Sequence, residues 1–120
     1  MHERMRFIKH RDQPVLEVDV TNCTPQEVLT LVNEVQQQAA RAPHNSLLIL
    51  ADFTGAQINK QVATRMKEVL VLDRPYVKRS AWLGTESLPK VFYENFKNFS
   101  QRDFPTFKSR EAALEWLTGE

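Results

Sequence analysis

Leu47 to Ala51, read as Leu-Leu-Ile-Leu-Ala, is an apolar run without alternation that stops at Asp52 and a turn. A strand that reads apolar on both faces is covered on both faces, which places it at the centre of an α/β sheet. The carboxyl end of such a strand is where open α/β sheets put their working loop. Here that loop is Asp52-Phe53-Thr54-Gly55-Ala56-Gln57. It carries no recognisable catalytic set.

The segments around this strand supply the rest of the sheet and its helices. Met5 to Lys9 and Gln13 to Val20 read as two strands joined across a polar, proline-containing hairpin. In the second, Leu16, Val18 and Val20 share one face, with Glu17 and Asp19 on the other. Thr24-Pro25-Gln26-Glu27 is a helix start: Thr24 caps, Pro25 takes the first helical position and Glu27 can close a capping box. Val28, Leu31, Val32, Val35 and Ala39 then form one buried stripe ahead of Pro43.

Asn59 can cap a second helix with Val62, Met66, Val69 and Leu70 on its apolar side, ended by Arg74-Pro75. Val77 to Leu83 is a further strand closed by Gly84, and Ser87-Leu88-Pro89 opens a third helix. A short strand over Phe104 to Phe107, broken by Pro105 and therefore at an edge, leads to a last helix capped by Ser109 and ended by Gly119. The fold class that follows is α/β: a mixed, largely parallel sheet of about five strands with four helices. At 120 residues the chain fits one domain, residues 1–120.

No segment approaches the ~20 apolar residues of a membrane span. The first ten residues lack the apolar core of a signal peptide. One cysteine, Cys23, excludes an internal disulfide framework. The expectation is a cytoplasmic protein without stable membrane insertion. Net charge is +1, yet Lys60 to Arg110 holds 11 Lys and Arg against 5 Asp and Glu. A solvated set of helix faces accounts for this better than an anionic partner does.

The strand ending Asp52-Phe53-Thr54-Gly55, the strand Lys78-Arg79-Ser80-Ala81-Trp82-Leu83-Gly84 and the tail Phe107 to Leu117, taken with the element order, resemble the SpoIIAA-like branch of the STAS domains. The resemblance spans nearly the whole chain, and its motifs are fold signatures rather than catalytic ones. It implies an interaction module, as in anti-sigma factor antagonists. Many such domains switch by phosphorylation of a serine at the start of the helix after the third strand, where phosphate meets free N–H groups. In this sequence that region reads Gln57-Ile58-Asn59-Lys60-Gln61-Val62. The Asp-Ser-Ser type of site is absent, so the expected module lacks the usual phosphoserine switch.

Candidate binding residues come from three places. Asp52, Thr54 and Asn59 lie in the central working loop, although an Asp and a Thr there usually satisfy turn amides. Lys78 and Arg79, with Arg74, make the densest basic point and can hold a carboxylate or phosphate. Too few aromatics accompany them for a nucleic-acid platform. Leu88, Phe92, Phe96 and Phe99 share a face of the third helix, with Trp82, Val91 and Tyr93 adding aromatic and apolar bulk. Core packing explains that stripe first.

The sharper readings of the stripe are a pocket for an apolar, lipid-like ligand between the third helix and the sheet, or a homodimer contact centred on Tyr93. Cys23, just before a proline-started helix, has a thiol that the helix dipole can acidify. No histidine has ligand spacing with it, and no nucleophile lies near a base. The expectation is a protein-binding module with no enzyme activity, no metal and no cofactor, the carrier or sensor of an apolar ligand being the alternative.

Overall fold

Five strands form one sheet in the order β1-β2-β3-β4-β5, and the Leu47–Ala51 run supplies its middle strand. The computed structural model describes residues 3–100 and 105–119, without the side chains of Tyr93 and 97–100. The strands are β1 (Met5–His10), β2 (Gln13–Asp19), β3 (Leu47–Asp52), β4 (Val77–Leu83) and β5 (Thr106–Phe107). The helices are α1 (Pro25–Ala39), α2 (Lys60–Asp73), α3 (Lys90–Ser100) and α4 (Arg110–Thr118). β1 and β2 are antiparallel, and every other pairing is parallel.

The hairpin is tighter than its proline suggested. His10 pairs with Gln13, and both intervening residues, Arg11 and Asp12, have positive φ (52° and 62°). Two left-handed residues in a two-residue loop match the right-handed twist of the flanking strands. The capping expectations hold. Thr24 accepts from the Glu27 amide while the Glu27 carboxylate accepts from the Thr24 amide. Asn59 and Ser109 cap α2 and α4 through their side-chain oxygens alone, accepting from the Val62 and Ala112 amides.

One boundary moves. Ser87 lies in a 3₁₀ turn, Thr85–Ser87, and α3 begins only at Lys90, because the proline at position 89 holds the residue before it, Leu88, in extended geometry (φ −92°, ψ 140°). Phe104, expected to start the last strand, falls outside the described residues, and β5 comprises Thr106–Phe107.

The sheet is covered unequally. Leu16, Val18, Val20, Leu47, Ile49, Ala51 and Trp82 face α1, α2 and α3, meeting Val28, Leu31, Val62, Met66 and Phe96. On the opposite face Val15, Leu48, Leu50, Ala81 and Leu83 meet α4 through Ala113, Leu114 and Leu117. The two-sided burial of β3 is therefore real, but its second cover is a single helix. Polar ties fix that helix over the strands: His10 Nε2 lies 3.1 Å from Glu115 Oε1, and Arg11 also pairs with Glu115. Gln13 donates to the Thr118 carbonyl at 2.9 Å.

Candidate functional site

The loops after β2, β3 and β4 meet at the carboxyl end of the sheet and are stitched to one another. Val20 and Asn22 amides donate to the Asp52 and Thr54 carbonyls, each at 2.9 Å. The Gln57 amide returns to the Cys23 carbonyl at 2.9 Å, and the Gly55 amide donates to Ser87 Oγ at 2.8 Å. Gly55 and Gly84 both have positive φ (71° and 67°). A Cβ on Gly84 would stand 2.5 Å from the Thr54 nitrogen. The three loops thus form one fixed polar rim.

Two identical turns sit side by side beneath it. Asp19 Oδ1 accepts from the Thr21 amide (3.0 Å) and hydroxyl (2.5 Å). Asp52 Oδ1 accepts from the Thr54 amide (3.0 Å) and hydroxyl (2.7 Å). Asp19 and Asp52 are register partners on adjacent parallel strands, so an Asp-x-Thr element is repeated across the β2–β3 pair. Sequence reasoning singled out the second copy alone; the signal for the first, Asp19-Val20-Thr21, was in plain view.

Partial burial raises the Asp19 carboxyl, but hydrogen bonds from Thr21 and the Arg4 and Arg6 guanidiniums outweigh it and hold the group below its ordinary value. A depressed folded pKa gives stability that is present above the unfolded pKa and lost as pH falls through the folded one. Asp19→Asn is therefore expected to flatten the fall in thermal midpoint as pH drops below about 4, while moving the midpoint at pH 7 downward. An acid limb identical to that of the wild type in thermal scans would refute this.

On the α4 side the same strand ends border a cleft of about 360 Å³, with Leu50 and Leu83 as apolar lining and Arg4, Arg6, Glu17, Asp19, Asp52 and Arg110 among its polar groups. Glu17, with a side chain only 16% exposed, takes Arg6 at 3.0 Å and Arg110 Nε at 2.6 Å. Two guanidiniums share one carboxylate. Asp52 has no ion pair among the described residues.

The other expected site residues are dispersed. Asn59 spends its side-chain oxygen on the Val62 amide at 2.9 Å. Arg79 donates to the carbonyls of Trp116 (2.6 Å) and Gly119 (3.0 Å), with its guanidinium 5.3 Å from the Trp116 ring centroid. It neutralises the carboxyl end of α4, where a cation suits the helix dipole. Lys78 is exposed on the neighbouring position. Arg79 pairs in register with Leu48, Asp52 with Leu83, so the basic point and the rim are about 13 Å apart along the strands.

Phe96 is fully buried and meets Trp82 at 6.1 Å between centroids, while Phe92 is half-buried against the same cluster. Trp82 and Phe96 are thus not available to a second copy of the chain. The side chains of Tyr93 and Phe99 lie outside the described residues. Cys23 does not acidify: it is buried in the core, and burial pushes its thiol up.

Among the described residues no three His, Cys, Asp or Glu groups are placed to hold a metal, and no helix is long and apolar enough to cross a membrane. An apolar cavity does exist, of about 70 Å³. It lies between α1, α2 and the sheet, lined by Val28, Leu31, Met66 and Trp82, rather than under α3.

No family model matches the chain, and no curated protein does. Among solved structures it is similar to an uncharacterized protein of the DUF3478 family, described as having a SpoIIAA-like fold, from Shewanella loihica PV-4. The two share 18% identity with a TM-score of 0.71, over 94% of this chain and 91% of that one. The fold is SpoIIAA-like, as the strand endings and element order implied.

Proposed function

We propose that the protein is a regulatory interaction module that binds a protein partner through the polar rim at the carboxyl end of its sheet and performs no chemistry itself. The observation that supports this is the cross-bonding of the three loops. A surface whose amides and carbonyls are already fixed loses little conformational entropy on docking. Asn59 caps α2 where related modules carry a phosphoserine, which supports a constitutive rather than a phosphate-gated surface.

Gln57 and Glu86 are exposed on two different loops of the rim. Tagged protein isolated natively from its host, with bound proteins quantified by mass spectrometry, is expected to carry a partner in near-stoichiometric amount. The double variant Gln57→Arg, Glu86→Lys should reduce that recovery by about tenfold or more, with its circular dichroism unchanged. Equal recovery by both proteins, or no enriched partner at all, rejects the reading.

The rival reading, a carrier or sensor of an apolar ligand, gains support from the cavity beneath α1 and α2. Its ~70 Å³ compares with roughly 300 Å³ and more for sites that enclose small molecules. α1 and α2 would have to part to admit a lipid chain. Lipid co-purifying in native mass spectra would favour this reading over the first.

A further inference from the structure

We propose that the cleft beside α4 is a binding site for a small zwitterion whose ammonium and carboxylate are separated by several bonds, of the ω-amino acid type. The site shares Asp52 with the strand end under the rim but opens on the α4 face of the sheet, and the proposal stands whether or not the rim binds a protein. Its volume of about 360 Å³ lies within the range of small-molecule pockets. Its lining is largely charged, with guanidiniums and carboxylates on its walls and Val18, Leu50 and Leu83 as its apolar part.

At one end Arg6 and Arg110 converge on Glu17. A guanidinium has five N–H donors. Arg6 spends Nε and Nη2 on Glu17, while Arg110 spends Nε. Two positive charges meet one negative charge there, and both side chains remain largely exposed. Set against Glu17 alone the two guanidiniums leave one positive charge over, the Glu3 carboxylate also lining the cleft, and they keep donors in the fork geometry that suits a second carboxylate.

At the other end Asp52 presents its carboxylate. Both Thr54 donors go to Oδ1, no cation among the described residues is paired with the group, and Oδ2 is left to accept from an ammonium. Asp19 beside it is already served by Arg4 at 3.7 Å. Glu17 is the register partner of Leu50, and Asp52 lies two residues further along β3. Strand geometry therefore puts the Glu17 and Asp52 backbones about 8 Å apart, a spacing that a ligand with separated charges matches better than the adjacent charges of an α-amino acid. Leu50 and Leu83 line the cleft, where the methylene chain of the ligand would lie.

Titration of 5-aminovalerate into the protein, followed by the methyl resonances of Leu50 and Leu83, tests this. A saturable shift is expected at or below about 10 mM, the range in which weak but specific small-ligand binding appears. Valerate, which lacks the ammonium, pentylamine, which lacks the carboxylate, and glycine, whose charges are adjacent, should each bind at least about tenfold more weakly. Asp52→Asn keeps the side-chain oxygen that holds the turn and removes only the charge. Arg110→Gln removes a guanidinium from an exposed helix position.

Each variant should weaken 5-aminovalerate by about tenfold or more while leaving the thermal midpoint of the free protein within a few degrees. The absence of a saturable shift, equal binding of valerate, pentylamine or glycine, or wild-type affinity in both variants would overturn the proposal. The rim variants at Gln57 and Glu86 should bind 5-aminovalerate normally, so failure of one proposal is distinguishable from failure of the other.

Discussion

Phe96→Ala is expected to destabilise the protein by about 3–5 kcal/mol, measured by urea denaturation. The side chain has no exposed surface and packs edge-on to Trp82, which itself lies 4.7 Å from the Phe53 ring between centroids. Removing the ring loses its transfer free energy and leaves a cavity beside the Trp82 ring. Small domains have only about 5–15 kcal/mol to lose. The variant should thus retain at best about four-fifths of its stability and at worst almost none, with the thermal midpoint falling by about ten degrees or more. A loss under about 1 kcal/mol would mean that the α3 face is a surface rather than a core, reviving a binding role for its aromatic stripe.

Gly84→Ala is expected to cost about 2–5 kcal/mol despite adding a single methyl group, because two independent penalties coincide. Gly84 has φ of 67°, a conformation that costs an L-residue with a Cβ about 1–2 kcal/mol. The new Cβ would also stand 2.2 Å from Thr54 Oγ1 and 2.5 Å from the Thr54 nitrogen. The hydroxyl can rotate away, but the nitrogen belongs to the backbone and donates to Asp52. Relief of the clash must therefore pull the β3 and β4 loops apart, releasing the rim. Denaturation together with amide exchange at Thr54 and Gly55 checks this: both amides should lose protection before the rest of the sheet does.

The fold was legible because its signals are local. β3 showed itself by an apolar run with nothing polar in it, α1 by a capping box at Thr24 and Glu27, and the close of β4 by Gly84. Each depends on chemistry within a few residues. The hairpin was legible in outline only, since nothing about Arg11-Asp12 demands the positive φ that both adopt.

The site was less legible because it is assembled across strands. Asp19 and Asp52 are 33 positions apart in the chain and become neighbours only through parallel pairing. Arg6, Glu17 and Arg110 come from three elements whose proximity depends on where α4 lands. Conversely Arg79 looked like an available cation because its acceptors, two carbonyls at the end of α4, lie 37 and 40 residues away. Sequence shows which side chains can bind; only the packing shows which have already been used.

α4 is also made well after the strands it covers. Val15, Leu48, Leu50, Ala81 and Leu83 are complete once residue 83 has been synthesised, but the residues that cover them, Ala113, Leu114 and Leu117, come some thirty positions later. At roughly 5–20 residues per second, a ribosome takes roughly 2–7 s to cross that interval. During that time a nascent sheet would hold an apolar face against water, open to a chaperone or to the same face of a neighbouring chain on the polysome.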